Sequence, residues 1–316
     1  SCRPEDTLLP KEVRLHLIER PDSAATPSSE AIAAQRNAGW LLLQRGPQLV
    51  ASLLIAALIP RTLGADTYGR YTLLTSLSMW FIMVTGLGFI QTIARTVPQL
   101  RTDASALRHF LSQLLALRLA SGALAATCYL IAMALWLHEI DLIVLALLAG
   151  TVLLRSLSSL LFEFFLGINQ AGRWGLGQVL RSWLSLGLVL GGYALAGLAG
   201  VAGALLATEV LLLFLASWWN RREIGALRPL WSLTGLWPHL RLGLTFYASD
   251  LMLSAYRRSG EVLVRLVSGD YVQVAQFGLS YDVYFTAAMW LPQLVLAFGP
   301  FLTTLLGQGQ DLVRAY

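Results

Sequence analysis

Four ionisable residues lie at helical spacing within one largely apolar stretch of this chain. Asp250, Arg257, Glu261 and Arg265 are separated by seven, four and four residues. That spacing places them on one face of a helix. Each ionisable group at bilayer depth costs about 2.5–3.5 kcal/mol, so four groups facing lipid would cost on the order of 10 kcal/mol. The stripe is therefore expected to face other helices or a water-filled cavity.

The acids of this stripe have two open interpretations. Asp250 and Glu261 either neutralise the arginines of their own helix at i,i+4 and i,i+7 spacing, or leave a net positive face that binds a ligand. The same choice holds for Arg155, Ser159 and Glu163, which repeat at intervals of four. There, an ion pair that fastens helices is favoured over a ligand contact.

Two more acids lie inside apolar runs, namely Glu209 and Asp282. Each is interpreted either as a coupling site for a proton or cation, or as the partner of an arginine across a helical bundle. Pairing is favoured, because an unpaired carboxylate at such a position would be costly.

The composition is that of an integral membrane protein. Hydrophobic residues make up 56% and charged residues 13% of the 316 residues, and the mean hydropathy is +0.62. A soluble domain carries about 25% charged residues. The runs 72–94 and 283–307 contain no charge at all, and each exceeds the roughly 18 residues that indicate a membrane span.

Several function classes are excluded by what the chain lacks. The pI is near 9.5, but the basic residues separate the apolar runs instead of forming a patch that would bind nucleic acid. The two cysteines and four histidines share no metal-ligand spacing. There is also no nucleotide-binding loop, no pair of catalytic carboxylates and no Ser/His/Asp arrangement. We predict no nucleic-acid partner, no metal, no cofactor and no enzymatic activity.

The apolar runs predict an all-α integral membrane protein, a polytopic helical bundle with about eight transmembrane helices. The predicted spans are 39–60, 71–93, 107–137, 142–168, 176–198, 201–219, 240–267 and 272–306. Pro292 and Pro300 predict a bend in the last span, and the Arg45–Pro47 segment predicts a distortion of the first.

Arginine placement predicts the orientation. The connections after the second, fourth and sixth predicted helices carry arginines, whereas those after the third, fifth and seventh have neither Lys nor Arg. The N-terminus is therefore expected in the cytoplasm. Four regions follow: a mobile cytoplasmic tail over 1–36, a first six-helix lobe over 37–220, an interfacial linker over 221–239 and a partial second lobe over 240–316.

A weak internal repeat supports this division. Arg61-Thr-Leu-Gly-Ala-Asp66 precedes Tyr68-Gly-Arg-Tyr71 at the start of the second predicted helix. Arg265-Leu-Val-Ser-Gly-Asp270 precedes Ala275-Gln-Phe-Gly278 at the start of the eighth. Six helices separate the two copies, as in transporters built from parallel repeats.

The chain resembles the polysaccharide flippases of the multidrug/oligosaccharidyl-lipid/polysaccharide exporter superfamily over roughly residues 37–306. The residues that carry the resemblance are Asn37–Gly39, Ile59-Pro-Arg-Thr-Leu-Gly64, Tyr68-Gly-Arg-Tyr71, Thr85-Gly-Leu-Gly88 with Ile93-Ala-Arg95, Arg241-Leu-Gly-Leu-Thr-Phe246 and Ala275-Gln-Phe-Gly-Leu-Ser280. The resemblance implies two six-helix lobes around a central cavity. It also implies that isoprenoid-pyrophosphate-linked oligosaccharide is flipped by alternating access. Against that pattern, we expect this chain to be C-terminally incomplete, with one lobe and the first two helices of the next.

Flipping such a lipid needs a wet, positive path for its pyrophosphate. Arginine suits this role, because it keeps its charge and binds phosphate through two hydrogen bonds. The predicted substrate-binding residues are Arg45, Arg118, Arg155, Arg257, Arg258 and Arg265. For Arg45, snorkelling toward lipid headgroups is the slightly favoured alternative, and Arg118 could serve either role. The predicted ion-pair or coupling residues are Glu163, Glu209, Asp250, Glu261 and Asp282.

The resemblance also implies where the protein acts and what it contacts. The expected location is a bacterial inner membrane, and the expected partners are a lipid-linked saccharide, membrane lipids and polysaccharide-assembly proteins. The alternatives are a cation-coupled drug antiporter of the same superfamily and a non-transporting scaffold or remnant. A membrane glycosyltransferase would need a sizeable loop or an acidic catalytic motif, and the sequence has neither.

Overall fold

The computed structural model describes residues 44–100, 103–168, 170–232 and 237–288. Side chains are described throughout these ranges except at Gln91, at Ala287 and at parts of 237–258. The ranges contain eight α-helices and no strand. They are α1 (Arg45–Leu63), α2 (Ala65–Val84), α3 (Phe89–Leu100), α4 (Ala104–Trp136), α5 (Leu142–Gly167), α6 (Ala171–Glu223), α7 (Trp237–Ser268) and α8 (Tyr271–Ala288).

Four of these helices are long and apolar enough to cross a membrane: α1, α4, α5 and α6. Helix α6 has 53 residues, which would extend about 80 Å if it were straight. It is interrupted at Ala196 and at Gly197, whose φ is +56°. Beyond this point the chain folds back, since a Cβ on Gly192 would lie 2.3 Å from the carbonyl oxygen of Gly200. Helix α6 is therefore a helical hairpin, close to the two predicted spans 176–198 and 201–219.

The second predicted span is wrong in its extent. The sequence predicts one helix over 71–93, whereas α2 ends at Val84 and α3 begins at Phe89. The break lies at Leu87 and Gly88, which both have positive φ values. Helix α3 is strongly amphipathic, and its apolar residues Phe89, Ile93 and Val97 are fully buried.

The start of the first predicted helix also differs from expectation. Helix α1 begins at Arg45 among the described residues, so residues Arg45–Pro47 form its first turn instead of distorting its interior. Pro is tolerated in a first turn because the amide hydrogens there have no helical acceptor. The expected bend at Pro292 and Pro300 and the predicted tail 1–36 lie outside the described residues.

Helices α2 and α5 form the centre of the bundle. Helix α5 packs against α2, α3, α4 and α6, and α2 also packs against α1, α7 and α8. One apolar cluster joins Leu73, Tyr129, Val152 and Val274 from four of these helices. A second cluster stacks Phe162 and Phe165 edge-on against Trp219.

The two copies of the internal repeat lie against each other where α2 crosses α8. A Cβ on Gly69 would lie 1.9 Å from the carbonyl oxygen of Tyr271, and a Cβ on Gly278 would lie 2.6 Å from Thr72 Cγ2. Each copy begins with a turn that needs positive φ, at Gly64 (+76°) and at Gly269 (+68°). Glycine therefore serves both the turns and the close crossing.

Contacts between connections define the two ends of the bundle. At one end the Tyr193 hydroxyl donates to the Leu63 carbonyl, and Arg265 reaches Glu139. At the other end Arg173 pairs with Glu223, and Arg108 Nε donates to the Ile224 carbonyl. We call the second the basic end, because it also carries the exposed residues Arg221, Arg222 and Arg228.

Candidate functional site

Arg118 is a buried cation about 20 Å from the start of α4, and its side chain is 4% exposed. Its Nε donates to the Ser156 carbonyl at 2.9 Å and its Nη1 donates to the Thr85 carbonyl at 2.6 Å. The guanidinium carbon lies 5.1 Å from the centre of the Phe89 ring. Its Nη2 is 4.0 Å from Glu163 Oε1. Two backbone carbonyls therefore fix the guanidinium, and its ion pair with Glu163 is long.

Glu209 is the most fully coordinated acid in the described interior. Its Oε1 accepts from Arg181 Nε at 3.0 Å, and its Oε2 accepts from Ser158 Oγ at 2.7 Å and Arg181 Nη2 at 3.3 Å. Arg155 Nη1 lies 3.6 Å from Oε1 and adds a second positive charge. Three side chains from α5 and α6 therefore hold a carboxylate that is 2% exposed.

Two cavities meet at these arginines. The smaller has a volume of about 200 Å³, and the larger about 340 Å³. Both are lined by Arg155 and Arg181, together with Met79 and Ile82. We call the two cavities together the arginine chamber, defined by Arg155 and Arg181 in both and by Arg118 in the larger.

The two cavities differ in charge. Among the described side chains, the larger is lined by Arg118, Arg155 and Arg181 against one acid, Glu163. The smaller is lined by Arg155 and Arg181 against Glu209 and Asp282, so its charges balance. Even when Glu209 is counted against the larger cavity, three arginines face two carboxylates. The larger cavity is therefore suited to an anion.

Several helices contribute the polar lining of the larger cavity. Gln178 from α6 accepts a hydrogen bond from Arg181 Nη1 at 3.0 Å. Tyr247 from α7 lines the cavity and donates through its hydroxyl to the Met83 carbonyl at the end of α2. Helix α7 therefore forms part of the wall.

The predicted site residues either line one of the two cavities, lie elsewhere, or have side chains that the structure does not describe. Arg118, Arg155 and Glu163 line the larger cavity, and Glu209 and Asp282 line the smaller. Arg45, Glu261 and Arg265 lie elsewhere: Arg45 is exposed at the start of α1, Glu261 is fully buried in α7, and Arg265 is at the end of α7 away from both cavities. The side chains of Asp250, Arg257 and Arg258 lie outside the described residues.

Arg265 belongs to a separate polar cluster at the end opposite the basic end. Its Nη2 lies 2.7 Å from Glu139 Oε1, an oxygen that also accepts from the Tyr271 hydroxyl at 2.5 Å. Arg265 and Arg70 both lie over the Tyr271 ring, 4.1 Å and 4.9 Å from its centre. We call Glu139, Arg265, Tyr271 and Arg70 the Glu139 cluster. It joins the α7–α8 turn to α2 and to the α4–α5 connection.

The Glu139 cluster favours the ionised form of its carboxyl group. The hydrogen bond from the Tyr271 hydroxyl, and then the positive charge of Arg265, hold the pKa of Glu139 below its usual value near 4.5. At neutral pH this carboxylate is charged and fully engaged with its partners.

Sequence reasoning missed several of these residues. Arg181 is not among the predicted site residues, but it is buried and forms the main partner of Glu209. Its signal is that it stands inside an apolar run, with no other basic residue between Arg173 and Arg221. Glu139 and Tyr271 gave no such signal, because each lies at a helix end where polar residues are ordinary.

Within the described residues, no group of three or more His, Cys, Asp or Glu side chains could hold a metal ion. The described lining of the chamber offers a ligand charge and hydrogen bonds.

Comparison with a solved structure shows the fold. The chain is similar to MATE in a crystal structure of MATE in complex with MaD5, with a TM-score of 0.59 and 18% sequence identity. The similarity covers 77% of this chain and 62% of that one, so the chain spans less than two thirds of the MATE chain. The fold is MATE-like, as expected of the superfamily. No curated protein sequence matches this chain significantly.

Comparison with protein families shows the class. Residues 34–303 match the family described as polysaccharide biosynthesis protein. The prediction of a polytopic helical membrane protein is confirmed at the level of the fold, which is all-helical and MATE-like. This chain belongs to the polysaccharide biosynthesis protein family.

Proposed function

We propose that this protein translocates an isoprenoid-pyrophosphate-linked oligosaccharide across a bacterial inner membrane by alternating access. The observation that carries the proposal is the larger cavity, where Arg118, Arg155 and Arg181 from three helices face a single acid among the described lining residues. A buried excess of arginine is costly unless an anion or water compensates it. The pyrophosphate of a lipid-linked saccharide is such an anion, and it can stay in the chamber while the lipid tail remains in the bilayer.

The three arginines have different roles in this proposal. Arg118 is held by two backbone carbonyls and Arg181 by Glu209 and Gln178, so both present fixed positive charge. The side chain of Arg155 is 27% exposed and reaches both cavities. Arg155 is therefore the arginine that contacts the phosphate directly, since its side chain is the most exposed of the three and lines both cavities.

The remaining assignments follow from the same proposal. The seven helical segments from α1 to the second arm of α6, with α2 and α3 in the place of one predicted span, form the first lobe, and α7 and α8 begin a second. The basic end faces the cytoplasm. There, Arg45 provides an entry contact at the mouth, and Arg257 and Arg258 of α7 add positive charge on the side of the second lobe. Membrane lipids and polysaccharide-assembly proteins are the proposed partners.

The experiment is a binding measurement with a charge-neutral variant and a matched control. We expect Arg155→Gln to weaken binding of a short-chain isoprenyl-pyrophosphoryl-N-acetylglucosamine about tenfold or more, because one charge-assisted hydrogen bond is worth about 1.5–3 kcal/mol. The control is Arg61→Gln, since Arg61 is exposed on α1 outside the chamber.

Titration calorimetry on the protein in lipid nanodiscs measures the affinity of the wild type and of each variant for the probe. Equal affinities for the wild type and Arg155→Gln would remove this arginine from the mechanism. Tight binding of organic cations in place of the pyrophosphate would contradict the proposal and support the drug antiporter. A fluorescent analogue of the same lipid, read by a leaflet-specific quencher in vesicles, then tests translocation itself.

A further inference from the structure

Glu163 is the carboxylate in the arginine chamber that has the fewest partners. Its Oε1 lies 4.0 Å from Arg118 Nη2, beyond hydrogen-bond distance. Its Oε2 is buried and has no hydrogen-bond partner among the described residues. The side chain is 15% exposed and lines the larger cavity. An ionised carboxylate at this position is poorly compensated.

Glu209 shows what full compensation looks like in the same chamber. Both of its oxygens accept short hydrogen bonds, and two guanidinium groups lie within 3.6 Å. Arg118, the partner of Glu163, directs its Nε and Nη1 to backbone carbonyls instead. Of these two acids, Glu163 is the one whose charge the protein does not hold in place.

An anionic ligand would make the ionised form of Glu163 less favourable. A phosphate in the larger cavity brings negative charge next to a carboxylate, and like charges at close range favour protonation of one partner. Among the described side chains that line the larger cavity or pair with its arginines, three arginines and two glutamates leave one positive charge when Glu163 is ionised. When Glu163 is protonated they leave two, so protonation brings these groups closer to balance with the two negative charges of a pyrophosphate diester.

We infer that Glu163 takes up one proton when a pyrophosphate diester enters the larger cavity, so that the ligand and the proton bind together. The inference rests on the proposed function, because it names how that site balances charge. The proton comes from the aqueous phase and converts the carboxylate to a carboxylic acid, and no covalent bond of the ligand changes. The new O–H lies on the carboxyl group whose Oε2 now has no described partner, and it donates a hydrogen bond to a phosphate oxygen.

The charged and titratable groups around Glu163 fix the sign of the effect. Arg118 faces it from α4, Arg181 from α6, Tyr247 from α7 and Arg155 from its own helix. The arginines stay protonated throughout the working range, which leaves Glu163 as the group that changes charge. Affinity for the diester therefore rises as the pH falls, by up to about tenfold per pH unit for one linked proton.

The test uses the whole chain in lipid nanodiscs and the diester probe isoprenyl-pyrophosphoryl-N-acetylglucosamine. Each of its phosphates carries a single, strongly acidic group, so the probe itself exchanges no proton near neutral pH. Calorimetric titrations in buffers with different ionisation enthalpies give the number of protons taken up on binding. We expect about one proton for the wild type and none for Glu163→Gln. Asp66→Asn removes an exposed carboxylate that lines neither cavity and is expected to keep the uptake.

The affinities provide a second readout. Glu163→Gln imitates the protonated carboxyl group, so it should bind the probe at least as tightly as the wild type at the higher pH and show little pH dependence. The infrared band of a protonated carboxyl group should appear in the wild-type protein when the probe is added. That measurement does not depend on any variant folding correctly.

The outcomes separate the two proposals. Binding by the wild type without proton uptake, or with the same uptake in Glu163→Gln, overturns the inference and leaves the proposed function standing. Absence of binding by the wild type at every pH overturns the proposed function and the inference with it.

Discussion

The arginine chamber and the Glu139 cluster use the same residue types in opposite surroundings. In the chamber, Arg181 and Glu209 have side chains that are 8% and 2% exposed, and they join neighbouring helical segments of α6. In the Glu139 cluster the Glu139 side chain is 48% exposed. The cluster joins the α7–α8 turn to α2 and to the α4–α5 connection, which are far apart in the sequence.

This difference separates a fixed contact from a reversible one. Breaking a buried pair by removing one partner costs about 3–5 kcal/mol, because an uncompensated charge remains. An exposed pair contributes about 0.2–1 kcal/mol. Buried pairs therefore hold the arginines of the chamber in place, whereas the exposed ion pair between Glu139 and Arg265 can open at little cost. Alternating access requires both properties.

The largest effect is expected from Glu209→Gln. It leaves Arg181 and Arg155 without their carboxylate in a buried setting, and we expect the free energy of unfolding to fall by about 3–5 kcal/mol. Unfolding in detergent, followed by circular dichroism, measures it. Asp66→Asn is the control, since Asp66 pairs with Arg70 at an exposed i,i+4 position. A loss no larger than that of the control would show that the buried pair is not structural.

A smaller effect is expected at the crossing of α2 and α8 beside the Glu139 cluster. Gly69→Ala places a methyl group against the Tyr271 carbonyl and should lower the free energy of unfolding by about 1–3 kcal/mol. Gly203→Ala is the matched control, because a Cβ there meets nothing within 4 Å. It should stabilise the helix by about 0.5–1 kcal/mol. If both variants behaved alike, the close crossing would not matter to stability.

Tyr271→Phe tests the hydrogen bond within the Glu139 cluster. It removes the donor to Glu139 while keeping the ring under Arg265 and Arg70, and we expect a loss of about 0.5–1.5 kcal/mol. A double-mutant cycle with Glu139→Gln isolates the pair. A coupling energy near zero would mean that the ring, and not its hydroxyl group, makes the contact.

The smallest effect is expected in how the stability of the folded protein depends on pH. Because the folded-state pKa of Glu139 is below 4.5, its contribution is complete above that value and is lost as the pH falls through the folded-state pKa. Unfolding midpoints measured from neutral to acidic pH should therefore fall more steeply for the wild type than for Glu139→Gln. Parallel curves would show that the carboxylate contributes nothing to this cluster.

The sequence predicted the helices better than their ends, for a physical reason. Apolar runs long enough to cross a bilayer identify α1, α4 and α5, because each must satisfy its own backbone hydrogen bonds in lipid. The break at Leu87 and Gly88 was missed because residues 72–94 carry no charge. Hydropathy cannot show where a chain without charges changes direction.

The site was predicted in part for a related reason. Arg118 and Arg155 stood out as charges inside apolar runs, and both line the larger cavity. The partners of the charged stripe in α7 could not be predicted. Helical spacing predicts which residues share a face, but not which residues that face contacts. Arg265 thus contacts Glu139, which lies 126 positions away in the sequence.

The segment after α6 limits how far the second half of the chain can travel. The backbone amide of Leu230 donates to the Ser112 carbonyl at 3.0 Å, which fastens this segment to α4. Only seven residues then lead to Trp237, where α7 begins, and seven residues reach at most about 25 Å. While that hydrogen bond is present, the start of α7 stays within about 25 Å of Leu230, which bounds any displacement of α7 at the basic end.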